Sequence, residues 1–225
     1  MPVLPRYGRA RWAIEGDEMP HRAGRTRWRR FAVILVPSVA ACAALGIAMA
    51  QGALAASFLI SGQRFQVTAD ALTIRGFSLY SMVDVSRRGE AVPVLVTGAG
   101  HAAISGLCQS VTVDVPVLGP QTLKLTGGNE RPAEASNMFL DATFESVGQA
   151  NFNDIDIGIA QGEITKGPVS PGDRDARSFD PNGFAQQAES ATLTDVHVTA
   201  VAISAGTFNV PGLHVQIQQG RHECL

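Results

Sequence analysis

Tryptophan and lysine are almost missing from the last three-quarters of this 225-residue chain. Both tryptophans, Trp12 and Trp28, lie near the N-terminus, and the only lysines are Lys124 and Lys166. A core beyond residue 57 must therefore be built from Val, Ile, Leu, Ala and Phe. Residues 51–225 carry ten basic residues against seventeen acidic ones, a net charge of −7. This balance argues against nucleic acid and against anionic lipid headgroups as partners.

Charged residues are also absent from residue 31 up to Arg64. The uncharged stretch begins with an apolar run, FAVILVPSVAACAALGIAMA, at Phe31–Ala50, and roughly 20 apolar residues suffice for a helix to cross a bilayer. Five arginines lie between residues 22 and 30, directly before the run, and positive charge holds that flank in the cytoplasm. We therefore predict a transmembrane helix over residues 31–56, a signal anchor in the cell membrane. The chain would cross once, with its N-terminus cytoplasmic and its C-terminal domain extracytoplasmic.

The same residues are also compatible with a cleaved signal peptide. Small-residue motifs suited to cleavage occur at Ala53-Leu54-Ala55 and at Ala48-Met49-Ala50, and cleavage would make the protein secreted. The apolar run and the region before it are both long for a cleaved signal, which favours retention. A buried helix of a soluble core is disfavoured, because such helices rarely lack every polar residue over this length.

The flanks of the run define the domains. Residues 1–50 hold eight arginines against three acids, a net charge of +5, and residues 1–30 show no apolar periodicity. We predict a disordered basic cytoplasmic tail over 1–30 and one extracytoplasmic β-rich domain over 57–225.

Helical periodicity is missing from the exported part: no window of ten residues shows a convincing period of 3.6. Arg64–Thr68 and Leu72–Tyr80 instead alternate apolar with polar residues, which is typical of half-buried strands. Gly76 predicts a bulge or bend, and Pro93 predicts an edge position or a strand start. Glu163–Gly183 is rich in Pro, Gly and Asp, which predicts one long loop.

A short pattern recurs at Ala102–Cys108, Ala150–Asp156 and Ala191–His197. Each copy has Ala, an apolar residue two positions on, and an aliphatic residue five positions on. Such recurrence suggests stacked or duplicated β units. We predict an all-β domain, and the pattern leaves a β-sandwich, a meander and a β-solenoid open.

Cysteine is scarce, with three residues in the chain. Cys42 lies in the apolar run, whereas Cys108 and Cys224 lie in the exported part. Two thiols in an oxidising compartment usually pair, so we predict a Cys108–Cys224 disulfide that fixes the C-terminus.

Several segments together resemble one family. They are the run with GALAASFLISGQRFQVTADALTIRGF, then LCQSV, GPQTLKLTGG, FAQQAESATLTDVHVTAVAISAGTFNVPGLHVQI and the terminal EC pair. The family is an actinobacterial group of exported proteins catalogued as a domain of unknown function, and some of its members are labelled cholesterol esterase. The resemblance covers most of residues 31–225. It implies a membrane segment and a neighbouring multi-spanning membrane protein, and it supplies no catalytic residues.

A serine esterase of the common hydrolase fold needs G-x-S-x-G at a strand-to-helix turn, followed by an acid and a histidine. The nearest match is Ala202-Ile203-Ser204-Ala205-Gly206, which has Ala at its first position and lies close to the C-terminus. We interpret Ser204 as the start of a β-turn. A triad on another fold would draw on Asp195 with His197 or His214.

Metal chemistry has one candidate segment. Asp173, Asp175 and Asp180 are oxygen ligands of the kind that calcium takes, but arginines are interleaved and the spacing is not that of an EF-hand. We interpret the segment as a solvated loop. Among the histidines we find no metal-ligand spacing, and we predict no cofactor.

These observations favour a membrane-tethered extracytoplasmic β protein that acts as a binding or envelope-associated module. The partners that fit are a membrane protein and an apolar ligand, besides the bilayer around residues 31–56. The alternatives are a lipid-ester hydrolase that uses Ser204 and a self-assembling structural envelope protein.

Overall fold

The computed structural model describes residues 61–224 and, of the residues before them, Leu35 alone. The predicted tail, Cys42 and the rest of the predicted anchor over 31–56 lie outside the described residues. Within the part that is described, no helix is long and apolar enough to span a bilayer.

Residues 61–224 fold mostly as antiparallel β-strands with almost no helix, which confirms the all-β prediction. A 3₁₀ turn at Gln161–Glu163 and one short helix, α1, at Pro171–Arg174 interrupt the strands. The nine strands are β1 Phe65–Val85, β2 Ala91–Ser105, β3 Leu107–Val115, β4 Gly119–Gly127, β5 Ala133–Ser146, β6 Gln149–Ala160, β7 Phe184–Ser204, β8 Thr207–Asn209 and β9 His214–Gln219.

The strands form one antiparallel sheet that closes on itself. The strand order is β6-β7-β5-β2-β1-β3-β4-β9, and β7 also pairs with β1. The pairings β1–β2, β2–β5, β5–β7 and β7–β1 therefore make a ring of four strands. A β-solenoid does not fit, because its short rungs stack in parallel, whereas every pairing here is antiparallel and β1 and β7 each run for 21 residues.

β1 is one strand where the sequence pattern suggested two. Gly76 has a φ of +68° and bends the strand without ending it, because β2 and β7 pair with β1 on both sides of the bend. Pro93 pairs with Val83 on the β1 side, and β5 joins the other edge of β2 only from Leu95. The missing amide of Pro93 therefore faces a locally free edge, as the sequence predicted.

The segments that recur in the sequence lie side by side in the sheet. Ala102 pairs with Ile74, Ile74 with Ala191, and Ala191 with Phe152. The recurrence therefore reflects similar positions on neighbouring antiparallel strands rather than stacked units. Small buried residues such as Ala102 and Ala191 allow the strands to pack closely around the main core.

Two hydrophobic clusters fill the interior. The main core gathers buried side chains from β1, β2, β5 and β7 around Ile74 and Phe77. A second cluster forms around Tyr80, Val96 and Phe139, and the loop after β6 packs against it through Ile164.

The strands β3, β4 and β9, here called the arm, extend this sheet on the far side of β1. β3 joins β1 only at Gln66–Thr68. Residues 220–224 cover one face of the arm, where the Cys224 amide donates to Ser110 Oγ (2.8 Å) and the His222 amide donates to Thr122 Oγ1 (3.1 Å). The Cys108 and Cys224 sulfurs are 2.02 Å apart, which agrees with the predicted disulfide.

Candidate functional site

The predicted loop crosses the sheet as a close-fitting segment, here called the strap, residues 164–183. It lies against β1: Ser78 Oγ donates to the carbonyl of Pro168, and Ser178 Oγ donates to the carbonyl of Val83 (3.4 Å). Ile164 is buried, and the ring of Phe179 meets that of Tyr80 edge-on, with 6.4 Å between centroids. The strap thus covers the second hydrophobic cluster.

Glycines permit this close approach. A Cβ atom on Gly167 would overlap the backbone of Phe77, and one on Gly98 would lie 2.6 Å from the carbonyl oxygen of Pro168. Real Cβ atoms do not approach backbone so closely. The strap and the sheet therefore meet backbone to backbone, where only glycine fits.

Tyr80 fastens the middle of the strap. Its hydroxyl donates to Asp173 Oδ2 at 2.7 Å and accepts from the Ser170 amide at 3.0 Å. Tyr80 is fully buried on β1, and both of its partners lie some 90 residues further along the chain. A buried hydroxyl with a donor role and an acceptor role satisfied fixes the geometry of both segments.

Three half-buried aspartates surround this contact and are here called the carboxylate cluster: Asp84 on β1, Asp141 on β5 and Asp173 on α1. Burial raises the pKa of Asp84 to about 6, with a further rise from the charge of Asp173. Burial, together with the charges of Asp84 and Asp173, raises the pKa of Asp141 to about 8. Like charges this close favour retention of protons in the cluster at neutral pH.

The pKa values of Tyr80 and Asp173 are also raised. Burial, and then the charge of Asp173, raises the pKa of the Tyr80 phenol, so that it stays a neutral donor. Burial raises the pKa of Asp173, and the hydrogen bond from Tyr80 opposes that rise. One oxygen of Asp84, Oδ2, is buried without a hydrogen-bond partner, which is tolerable when the carboxyl is protonated.

A second fastening holds the start of the strap. Gln187 Oε1 accepts from the amides of Thr165 (2.7 Å) and Lys166 (2.9 Å). Lys166 Nζ reaches Asp154 Oδ1 at 3.1 Å and Asp156 Oδ2 at 2.9 Å. The hydrogen bond to Asp156 raises the pKa of Lys166, and the same bond lowers the pKa of Asp156.

The three aspartates that the sequence suggested as metal ligands lie in different surroundings. Asp173 is bound to Tyr80, Asp175 is exposed, and Asp180 Oδ1 accepts from the Asn182 amide at 3.0 Å. No three His, Cys, Asp or Glu residues between 61 and 224 come together in a group that could hold a metal ion. The raised pKa values of Asp84 and Asp141 and the Tyr80–Asp173 contact favour proton sharing and hydrogen bonding in the carboxylate cluster.

Ser204 ends β7 and pairs with Phe139 on β5. Asp195 lies on the same strand, so nine residues, roughly 30 Å of extended chain, separate the two. His214 begins β9 and pairs with Thr126, and it lines a pocket of about 190 Å³ with Asn129–Arg131 and Pro211–Gly212. The positions on the strands do not assemble these three residues into a triad.

Sequence analysis missed Tyr80, Asp84 and Asp141. The sequence did contain a signal for Asp84. It lies two positions after Met82 and four after Tyr80 on β1, so the three side chains share one face of the strand. A carboxylate in line with two buried apolar residues points toward the interior. Asp141 carried none, since its neighbours in the cluster come from strands remote in the sequence.

The arm exposes an apolar face opposite the one covered by residues 220–224. Leu123 on β4 pairs with Val111 on β3 and with Ile217 on β9, so these three side chains lie on the same face of the arm. Leu125, at the inner end of β4, packs against the main core, whereas Leu123 is exposed. The core therefore continues outward onto an uncovered surface, here called the apolar face: Val111, Val113, Leu123, Leu125, Val215 and Ile217.

β9 borders this face at the end of the strand order. Within residues 61–224 its outer edge has no strand partner, and its side chains Val215 and Ile217 are 59% and 73% exposed. An edge strand with exposed aliphatic residues is a template for pairing with another chain.

Comparison with curated proteins and with solved structures finds no match. One family model matches, and it covers residues 61–225, which takes in every strand, the strap, the carboxylate cluster and both paired cysteines. The chain therefore belongs to the family of unknown function DUF6230.

Proposed function

We propose that the protein is a membrane-tethered extracytoplasmic binding module that takes up a partner protein on the apolar face and along the edge of β9. The observation that carries this proposal is the exposure of Val215 and Ile217 on β9, whose outer edge has no strand partner among residues 61–224. An extended segment of the partner would add a strand to β9, as in β-strand addition.

The two surfaces of the arm favour this mode of binding. The covered side is fixed by residues 220–224 and the disulfide, so β9 is held in place before a partner arrives. Backbone hydrogen bonds to β9 would provide affinity, and side chains packed against Ile217 and Leu123 would provide specificity. Preorganisation of this kind lowers the entropy lost on binding.

A membrane protein is the partner that suits a tethered module. Residues 31–56 would keep the domain beside the membrane, where the local concentration of other membrane proteins is high. Exposed aliphatic side chains bury well against an apolar segment, and the acidic domain gives no surface for nucleic acid.

Photocrosslinking in membranes tests the proposal. A photoreactive phenylalanine is placed in the full chain at Ile217, on the apolar face, and in a matched chain at Gln216, on the opposite side of the same exposed strand. We expect an adduct with one membrane protein from position 217 only, and loss of that adduct when Val215→Lys is added.

The mass of the adduct decides between the alternatives. An adduct with a second copy of the chain would support a self-assembling envelope protein instead. Equal labelling from positions 216 and 217, or no labelling from either, would contradict the proposed binding surface.

A further inference from the structure

We propose that the tip of the β3–β4 hairpin, residues Val115–Gly119, enters the surface of the bilayer that holds residues 31–56. This inference rests on the tethering part of the proposed function and does not depend on the partner at β9. The tip would be a second, reversible membrane contact made by the folded domain.

The tip is apolar and lies free of the rest of the domain. Val117 is 104% exposed and Leu118 is 61% exposed. No charged residue occurs from Val115 to Leu123. The acid that precedes the tip, Asp114, faces Arg221, with 3.6 Å between Oδ1 and Nη2.

Val117 occupies a backbone position that disfavours it. The Leu118 amide donates to the carbonyl of Val115 at 3.2 Å, which closes a turn with Pro116 and Val117 at its centre. Val117 has a φ of +73°. Turns with proline first and a positive φ second ordinarily place glycine or asparagine second, because a β-branched side chain is strained there. The chain thus displays an apolar side chain where the backbone favours a small or polar one.

The tip lies on the side from which the chain enters the domain. β3 runs antiparallel to β1, with Gln66 opposite Ser110, so the later residues of β3 extend beyond the first residue of β1. That extension is about four residues, or roughly 13 Å. The eight residues between Ala56 and Phe65 reach at most about 28 Å when extended. A bilayer at the end of this tether is therefore within reach of the tip.

The charge of the domain indicates which kind of lipid surface the tip would enter. Residues 51–225 carry a net charge of −7, which disfavours anionic headgroups and leaves apolar insertion as the attraction. Two side chains bind a membrane weakly by themselves, but a tether makes the contact intramolecular.

Tryptophan fluorescence in reconstituted vesicles tests the inference. The full chain carries Trp12→Phe and Trp28→Phe, which leaves it without tryptophan, and is reconstituted in phosphatidylcholine vesicles. One chain then receives Leu118→Trp at the tip. The matched chain receives Phe184→Trp on β7, a site of nearly equal exposure at 58%. Phe184 adjoins Ala185, which pairs with Tyr80, fifteen positions along β1 from Phe65 at the tip end.

We expect the Leu118→Trp chain to emit at shorter wavelength, to be quenched by brominated lipid and to be shielded from iodide. The Phe184→Trp chain should show the reverse. Iodide quenching of both chains alike would overturn the inference. Shielding of the Leu118→Trp indole without quenching by brominated lipid would assign the tip to a protein contact and would overturn it too.

Flotation of the vesicles separates this failure from that of the proposed function. A chain that does not float with the vesicles is not tethered, whereas a floating chain whose tip stays in water contradicts the inference alone.

Val117→Asn supplies a variant that should fold at least as well as the parent. Asparagine tolerates a positive φ, so the midpoint of unfolding should not fall. In the Leu118→Trp chain, Val117→Asn should reduce quenching by brominated lipid. Unchanged quenching at unchanged stability would contradict a role for the apolar tip.

Discussion

At the scale of single residues, the carboxylate cluster sets how stability responds to pH. A carboxyl whose pKa is higher in the folded chain than in the unfolded chain binds a proton more tightly when folded. Its contribution to stability is therefore full at low pH and is lost as the pH rises through the folded pKa. For Asp84 and Asp141, with pKa values of about 6 and about 8, that loss extends from about pH 4 to about pH 8.

We predict that Asp141→Asn flattens this dependence. Release of the Asp141 proton between pH 6 and pH 8 should lower the free energy of unfolding of the parent chain by at most about 1.4 kcal/mol per pH unit. The slope should be smaller than this limit because the acid is partly exposed and solvent screens it. The asparagine side chain stays neutral, so the variant should lose most of this slope and exceed the parent in stability at pH 8. Urea unfolding measured at each pH provides the values.

Asp175→Asn is the matched control, since Asp175 lies on the same strap but is exposed. Its slope should equal that of the parent. A parent chain whose stability rises from pH 6 to pH 8 would contradict the assignment of shared protons to the cluster.

The residues of the carboxylate cluster also show how much of the site the sequence can predict. Asp173 attracted attention only as a metal candidate, because its role depends on Tyr80, which lies 93 positions earlier. A local pattern identifies the side of a strand on which a residue lies, but it does not identify the remote residue that faces it.

At the scale of elements, the strap is a loop held against the sheet by hydrogen bonds and close backbone contacts. Its composition predicted an irregular segment, and the structure confirms one broken by the short helix α1. Its position is fixed by backbone contact at Gly167 and Gly98 and by hydrogen bonds to Tyr80 and Gln187. The glycines are visible in the sequence, but no local sequence pattern identifies these contacts.

We predict that Gly167→Ala lifts the strap. The added methyl group would overlap the backbone of Phe77, so the strap must move away from the sheet. The backbone around Arg174 and Arg177, whose side chains are already exposed, would then be free to enter the active site of trypsin. Limited proteolysis followed by mass spectrometry should show faster cleavage at these two arginines than in the parent chain.

Gly89→Ala is the comparison for this experiment. A Cβ atom there meets nothing within 4 Å, but Gly89 has a φ of +81°, so the variant should be destabilised without lifting the strap. Equal acceleration of cleavage in both variants would show that general destabilisation, and not the strap, is responsible.

The strands illustrate the same limit at the level of elements. Alternation predicted strands at Arg64–Thr68 and Leu72–Tyr80, and β1 contains both from Phe65 onward; buried and exposed residues alternate strictly over Leu72–Arg75. Their fusion into one strand follows from pairing on both edges with β2 and β7, and β7 lies more than 100 residues away.

At the scale of the whole molecule, the disulfide joins the last residues to the start of the arm. Cys108 and Cys224 are 116 residues apart, and closing a loop of that size stabilises a fold by at most about 4–5 kcal/mol in the chain-entropy model. The bond also holds the segment that covers Ser110 and Thr122.

We predict that the double variant Cys108→Ala, Cys224→Ala unfolds at lower denaturant and opens first at the arm. Amide hydrogen exchange should accelerate in β9, whose one strand partner among residues 61–224 is β4, while amides of β1 and β7 exchange only on global unfolding. The same measurement on the parent chain under reducing conditions should agree with the variant. Unchanged exchange in β9 would show that residues 220–224 stay in place without the bond.

The ring of pairings bears on the timing of folding. Phe65, the first residue of β1, pairs with Ala200, so β1 lacks one of its two neighbours until nearly the whole polypeptide is available. If the domain crosses a membrane beginning at residue 57, β1 would lack this neighbour until β7 had crossed as well. Pairings between residues so far apart in the sequence slow folding, and β9 and the disulfide can be completed only after β7.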